Sequence, residues 1–387
     1  MKKRILIIYA TYGSGHKAIA KYINNYFLNK DSELEIKLID MISYSKRIGK
    51  LSKSISENLM LKHPIIWDAL FKWADHKYTS HFTNRVSLKW FDKNALKKDI
   101  MEFNPDLTIS THFYGSCIIT DFNKEKVIKS KLITVITDYE AHDLWLDHYN
   151  KEEYIVVPSK EERHTLLKRK IDKNHIKTFG IPIFPKEEDL SKKEQILDKL
   201  KLNKHIPTCV CFAGGGNGST ATLPYIKGII KSNQNINLIF IAGNNKKAYN
   251  KINALVEKYD VRNCLVYGFV DNVPELLQAS DFVVTKPGGA QTTECLYFKK
   301  PMLLIKSSGG QENYNISYFV KKGYARIFRT PRAIYKYFNN LDRNNNDIEK
   351  MRNKLSKADN KDAMKKLYDL SRDILKKECQ EQVKFVL

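Results

Sequence analysis

Residues 281–313 constrain this chain more than any other stretch. Residues 281–285 are a short apolar run, the pattern of a strand buried on both faces. Lys286-Pro287-Gly288-Gly289 follows, a turn with two positions that carry no Cβ, so a ligand can approach the backbone closely. Residues 290–298 have the composition of a helix, and the turn therefore presents backbone N–H groups at a helix N-terminus. Such a terminus suits a phosphate or diphosphate. Glu294 stands about one helical turn in, placed for a carboxylate that accepts both hydroxyls of a ribose. A second strand, 301–305, leads to Gly309-Gly310-Gln311-Glu312-Asn313, whose amide and carboxylate groups suit sugar hydroxyls. The order of these elements predicts a nucleotide-sugar site built from Lys286, Gly288, Gly289, Ala290, Glu294, Gln311 and Glu312.

The same strand–turn–helix rhythm starts at residue 4. Residues 4–10 (RILIIYA) read as a buried parallel strand, Tyr12-Gly13-Ser14-Gly15-His16 as a turn, and 17–28 as a helix with an apolar face. The turn lacks the third glycine of a dinucleotide fingerprint. Further strands are expected at 35–42, 106–110, 132–137 and 154–158. Thr111-His112 follows the second of these, and Thr137-Asp138-Tyr139-Glu140-Ala141-His142-Asp143-Leu144-Trp145 follows the third. Strand ends of this kind are where open α/β sheets place ligands. Residues 185–204 are charged and carry no β pattern, so the connection between two domains is placed there. A second domain begins with a strand at 208–213 and a glycine cluster, in which Gly215, Gly216 and Asn217 pass close to a diphosphate. Strands at 237–242 and 264–268 follow, the latter ending in Gly268-Phe269-Val270. The expected domains are 1–190, 191–360 and a terminal segment, 361–387, whose helix packs back toward the first.

Residues 44–103 break this rhythm. Leu61, Ile65, Ile66, Trp67, Leu70, Phe71 and Trp73 alternate there with many lysines, the composition of an interfacial amphipathic segment. Trp67, Phe71 or Trp73 is the side chain expected to enter the membrane interface. Of the chain's 387 residues, 66 are Lys or Arg and 43 are Asp or Glu, a net charge of +23 that attracts polyanions. No nucleic-acid-binding motif is evident, which favours an anionic membrane surface over nucleic acid. No run approaches the roughly 18–20 apolar residues of a membrane span, so the expected contact is peripheral. The six cysteines show no CxxC, and Cys209 and Cys211 alternate within one strand as core filler, which fits a reduced, cytoplasmic protein.

The donor segment, the Gly13-Ser14-Gly15-His16 loop and the Thr137–Trp145 stretch together resemble glycosyltransferase family 28. The resemblance is to its diacylglycerol glycosyltransferases, bacterial and plastid, and covers nearly the whole chain. It implies a GT-B fold, two doubly wound α/β domains facing a central cleft. The Gly-x-Gly-His loop, with Gly15, would then face the acceptor and the donor diphosphate, and Phe269 and Val270 would read the uracil. The 44–103 region would be the insertion linked to lipid acceptor and membrane docking. The implied reaction is inverting transfer of glucose, or alternatively galactose, from a UDP-sugar to the hydroxyl of diacylglycerol on the inner face of the cell membrane. His16 and His142 are the candidate bases, with Asp138 orienting or competing. Plastid relatives carry an Asp shortly before the glycine loop, where this chain has Thr11. The chain contains no DxD, so no divalent metal or other cofactor is expected, and the 286–290 loop with its helix dipole takes the leaving charge instead. Two alternatives share the layout: transfer of UDP-GlcNAc sugar to a lipid-linked peptidoglycan precursor, and a UDP-sugar 2-epimerase with no lipid acceptor.

Overall fold

The computed structural model describes residues 2–12, 15–47, 63–76, 78–146, 149, 154–183, 193–213, 220–232, 235–306, 309–358 and 362–384. The chain forms two compact units: residues 1–184 with 309–311 and 360–387, and residues 185–308 with 312–359.

The first unit is built on a six-stranded, all-parallel sheet. Its strands are β1 (Lys3–Tyr9), β2 (Leu34–Asp40), β3 (Leu107–Ser110), β4 (Lys131–Val135), β5 (Tyr154–Val157) and β6 (Ile176–Thr178), ordered β2-β1-β3-β4-β5-β6. Helices on both faces leave Ile5, Leu6, Ile7 and Ile8 with no exposure, so the central strand is continuously apolar rather than alternating. Each such side chain stabilises the fold by about 1.5–3 kcal/mol. In the edge strand β2, Leu34 and Ile39 are buried, Glu35 and Leu38 are exposed and the others are half-buried. A Cβ on Gly115 would lie 2.5 Å from Ser110 Oγ and 2.7 Å from Ile8 Cγ2. Only glycine lets the helix Phe113–Lys124 sit so close to β1 and β3, and this seating places His112 at the helix N-cap.

The second unit repeats the plan. Its strands β7 (Thr208–Phe212), β8 (Asn237–Ile241), β9 (Cys264–Tyr267), β10 (Phe282–Thr285), β11 (Met302–Ile305) and β12 (Ala325–Phe328) run parallel in the order β12-β11-β10-β7-β8-β9. In both sheets the chain leaves its first strand to one side and later returns to the other. The switch points therefore lie beside β1 and β7, where open α/β sheets hold ligands at their carboxyl ends. Cys209 and Cys211 share one side of β7, Sγ to Sγ 3.5 Å, with no exposure.

Within the 185–204 stretch Lys193–Lys199 is a helix of the second unit, and Lys193 is paired with Asp281 at 2.6 Å. Residues 44–103, of which 48–62 lie outside the described residues, hold three helices: Pro64–Ala74, Ser80–Leu88 and Lys93–Phe103. Among the aromatic residues expected to enter a membrane, Trp73 is 56% exposed, but Trp67 and Phe71 are turned inward. Trp67 has its Nε1 buried, and Phe71 packs on it and on His142, with ring centroids 6.3 and 5.4 Å away. The outward face is instead Ile65, Ile66, Leu70 and Trp73, because the helical period puts 67, 71 and 75 on the opposite side. The terminal helix Ala363–Lys384 groups with the first unit. Its Tyr368 packs edge-on against Phe27 at 5.2 Å and its Arg372 pairs with Asp31.

Candidate active site

In the first unit the ends of three neighbouring strands converge. The helix after β1 carries His16, the loop after β3 carries Thr111 and His112, and the loop after β4 carries Thr137, Asp138 and His142. His16 is half-buried in the first turn of the helix Gly15–Lys30, and Gly15 begins that helix. Its Nδ1 lies 2.8 Å from the Thr111 carbonyl and 2.9 Å from Thr137 Oγ1. A carbonyl only accepts, so Nδ1 carries the proton and Nε2 keeps its lone pair. Burial lowers the His16 pKa, while the charge of Asp138 and the Thr111 carbonyl push it back up. The imidazole is therefore neutral near pH 7, the state a base needs, and Asp138 is the buried carboxylate that offsets the charge it would acquire.

His142 is 5% exposed and enclosed by Phe71, Phe113 and Trp145. Burial first, then the charges of His16 and Arg169, bring its pKa down to about 3. His112 is equally buried, with its ring 4.7 Å from that of His16, and its pKa falls well below the usual range by desolvation and by the two other histidines. Its Nδ1 accepts the Tyr114 N–H and caps the helix behind it. Among the described residues no group of His, Cys, Asp and Glu is arranged to hold a metal ion. The sequence reading placed Thr111, His112 and Thr137 at strand ends but gave them no role in the site.

Thr11, where the sequence lacks a carboxylate, is met by one from the next strand. Thr11 Oγ1 donates to Asp40 Oδ2 at 2.6 Å and the Thr11 N–H to Oδ1 at 3.1 Å.

In the second unit Lys286, Pro287 and Gly288 follow β10, and the helix Gly289–Tyr297 starts at once. Gly288 is the N-cap, with φ −76° and no side chain to satisfy the first-turn N–H groups. A Cβ there would meet nothing within 4 Å. Neither backbone angle nor packing requires this glycine, and the bare helix end it leaves could admit a close-lying anion. Asn315, fully buried, donates from Nδ2 to the Pro287 carbonyl at 2.9 Å. Thr285 Oγ1 donates to Gln291 Oε1 at 2.8 Å. These bonds pin the turn from behind, and no sequence motif announced them. Ala290 is buried, whereas Glu294 is half-buried on the same helix side as Gln291, three residues away. Gln311 and Glu312, expected in a loop, form the first turn of the helix Gln311–Lys321, with both glycines before them at positive φ. Phe269, two residues past β9, is 71% exposed, and Val270 is half-buried. Gly215, Gly216 and Asn217 lie outside the described residues.

Gly288→Ala is expected to fold with a stability cost of no more than about 1 kcal/mol, because the cap tolerates the change and the space is empty. The same variant should lose at least tenfold in affinity for UDP by calorimetry. Unchanged affinity would remove the diphosphate from this turn.

Residues 16–183 match the family model of monogalactosyldiacylglycerol (MGDG) synthase. Residues 209–371 match the model of the glycosyltransferase family 28 C-terminal domain. Together the two matches take in all three histidines of the cluster and the whole donor loop. The chain belongs to glycosyltransferase family 28. It is thus an enzyme that transfers glycosyl groups. A curated relative, the processive diacylglycerol beta-glucosyltransferase of Staphylococcus epidermidis, is 25% identical over 367 residues, 91% of this family 28 chain and 88% of its own. Among solved structures, MurG of Acinetobacter baumannii superposes with a TM-score of 0.57 at 13% identity, covering 96% of this chain and 99% of that one. The UDP-GlcNAc 2-epimerase of Neisseria meningitidis, bound to UDP-GlcNAc, does so with 0.56 at 14% identity, covering 96% and 100%. Both bear on the fold, GT-B, and not on the reaction.

Proposed function

We propose that this family 28 enzyme moves a hexose, glucose in the first instance and galactose as the alternative, from its UDP-sugar to the hydroxyl of diacylglycerol with inversion. One observation carries the acceptor: the portion matching the MGDG synthase model, residues 16–183, is the portion that holds the histidine cluster. In this reading His16 Nε2 takes the proton of the attacking hydroxyl as the oxygen bonds to the anomeric carbon. The opposite bond breaks and its electron pair leaves with UDP. Asp138 stabilises the imidazolium that results. On the second unit the N–H groups and dipole at Gly288–Ala290, with Lys286, take the charge gathering on the diphosphate. Glu294 holds the ribose, Phe269 and Val270 the base, and Gln311 and Glu312 the sugar. No divalent metal is assigned a part, since the chain has no DxD and the helix end supplies the charge stabilisation. Activity should survive excess EDTA.

The deciding experiment incubates UDP-glucose and UDP-galactose separately with diacylglycerol vesicles and with none, and resolves the lipids by thin-layer chromatography. A glycosylated lipid is expected with one donor. Turnover of UDP-GlcNAc without lipid would mean an epimerase, and transfer only to a lipid-linked peptidoglycan precursor would replace the acceptor.

No helix among the described residues is long and apolar enough to cross a membrane. We place the enzyme peripherally on the inner leaflet through the outward face of the helix Pro64–Ala74. Ile65 is 84% exposed there, and Tyr78 and Phe82 nearby are 80% and 62% exposed. Each basic residue close to an anionic leaflet contributes about 1 kcal/mol, screened over a Debye length. Leu70→Ala with Trp73→Ala should therefore cut vesicle binding and lipid glycosylation several-fold, with UDP affinity and melting temperature unchanged. Binding should need anionic lipid and weaken from low to high salt. Equal binding to neutral vesicles, or no loss in the double variant, would overturn this docking face.

A further inference from the structure

The helix Pro64–Ala74 has a second face, and it bears on the histidines. Phe71 and Asp75, one turn apart and on the same side, both meet His142. Asp75 is 9% exposed, and its Oδ1 accepts the backbone N–H of Asp143. The same oxygen lies 3.6 Å from His142 Nδ1, a buried atom with no hydrogen-bond partner among the described residues. On the other side of the loop the buried carboxyl of Glu162 takes the N–H of Ala141. Two buried acids thus hold the backbone N–H groups that flank His142, and one of them also faces its ring.

We propose that Asp75 is a positioning residue of the acceptor site, one that fixes the tautomer of His142 and supplies negative charge to the buried histidine cluster. The inference rests on the reading above, in which His16 becomes a cation in each turnover. A carboxylate beside Nδ1 favours the proton on that nitrogen, because two lone pairs face to face repel. His142 then keeps a lone pair on Nε2, as His16 does, whereas His112, whose Nδ1 accepts the Tyr114 N–H, carries its proton on Nε2. The cluster thereby offers acceptors on two of its three rings. Its charged and titratable surroundings are Asp138, Asp75, Asp143 paired with Arg169, and Glu162, together with the three imidazoles. When His16 takes a proton, Asp138 and Asp75 are the buried carboxylates that offset it. Asp75 also ends the helix whose other face is exposed and apolar, so one residue joins that helix to the histidine loop.

The test is Asp75→Asn, which keeps the shape and the acceptor for Asp143 but removes the charge. With 15N-histidine labelling, wild-type His142, assigned with His142→Gln, should show the Nδ1–H tautomer, and Asp75→Asn should lose that preference. In sugar transfer the variant should lose about 10- to 100-fold in kcat at pH 7, with UDP affinity unchanged. Removing a negative charge makes protonation of the cluster less favourable, so the acidic limb of the pH–rate profile should move to lower pH. A purely structural role would lower kcat and leave the limb in place. An Nε2–H tautomer in the wild type overturns the proposal, even if Asp75→Asn does not fold. A folded Asp75→Asn with an unmoved limb overturns it too. A wild-type enzyme that transfers no sugar to diacylglycerol sinks the functional reading instead, and the tautomer measurement, which needs no substrate, stays decisive for Asp75.

Discussion

His16→Ala is expected to lower kcat by roughly 10²–10⁴, the usual contribution of a positioned general base. Its Nδ1 is committed to the Thr111 carbonyl and Thr137, so Nε2 is the free acceptor. His142 is more deeply enclosed, and its pKa of about 3 makes it the weaker base. His142→Ala should therefore give the smaller loss, which marks it as a positioning group. UDP affinity should be nearly unchanged in both, since these rings belong to the unit that does not carry the donor loop. Steady-state kinetics with calorimetric UDP titration checks both statements. A His142→Ala enzyme that is dead beside a His16→Ala enzyme within tenfold of wild type would exchange the two roles.

Glu294→Ala should weaken UDP binding by about 2–4 kcal/mol, roughly 30- to 1000-fold in Kd. The carboxylate is half-buried on the helix that begins at the proposed diphosphate turn, so bonds from it to two ribose hydroxyls would be charge-assisted and partly shielded. Gln311→Ala and Glu312→Ala should act differently, lowering turnover while UDP alone binds as before, because their assigned partner is the sugar. Calorimetry with UDP separates these outcomes. If Glu294→Ala binds UDP as tightly as wild type, the ribose lies elsewhere.

Much of this architecture is local and therefore legible from residue order. Runs such as 5–10, 209–213 and 282–284 are apolar at every position, a pattern that only strands covered on both faces support. The turns after them reveal themselves through glycine, and family 28 resemblance attaches to those turns. Strands β6 (IKT) and β12 (ARIF) escaped because three or four mixed residues at a sheet edge carry no period. Gln311 and Glu312 were misread as loop because the glycines before them hid a helix start.

What residue order could not decide was which distant groups meet. His16, His112 and His142 come together only because β1, β3 and β4 are neighbours in the sheet, an order fixed by strand pairing across about a hundred residues. Composition marked the 64–74 helix as amphipathic, yet which of its tryptophans faces solvent depends on the azimuth at which the helix packs. That azimuth is set by Phe71 and Asp75 against a loop some seventy residues away. Strand and turn identity are paid for locally in the sequence, by side-chain pattern and backbone freedom. Tautomer, burial and pKa belong to the packed state, because they depend on atoms that sequence distance does not bring near.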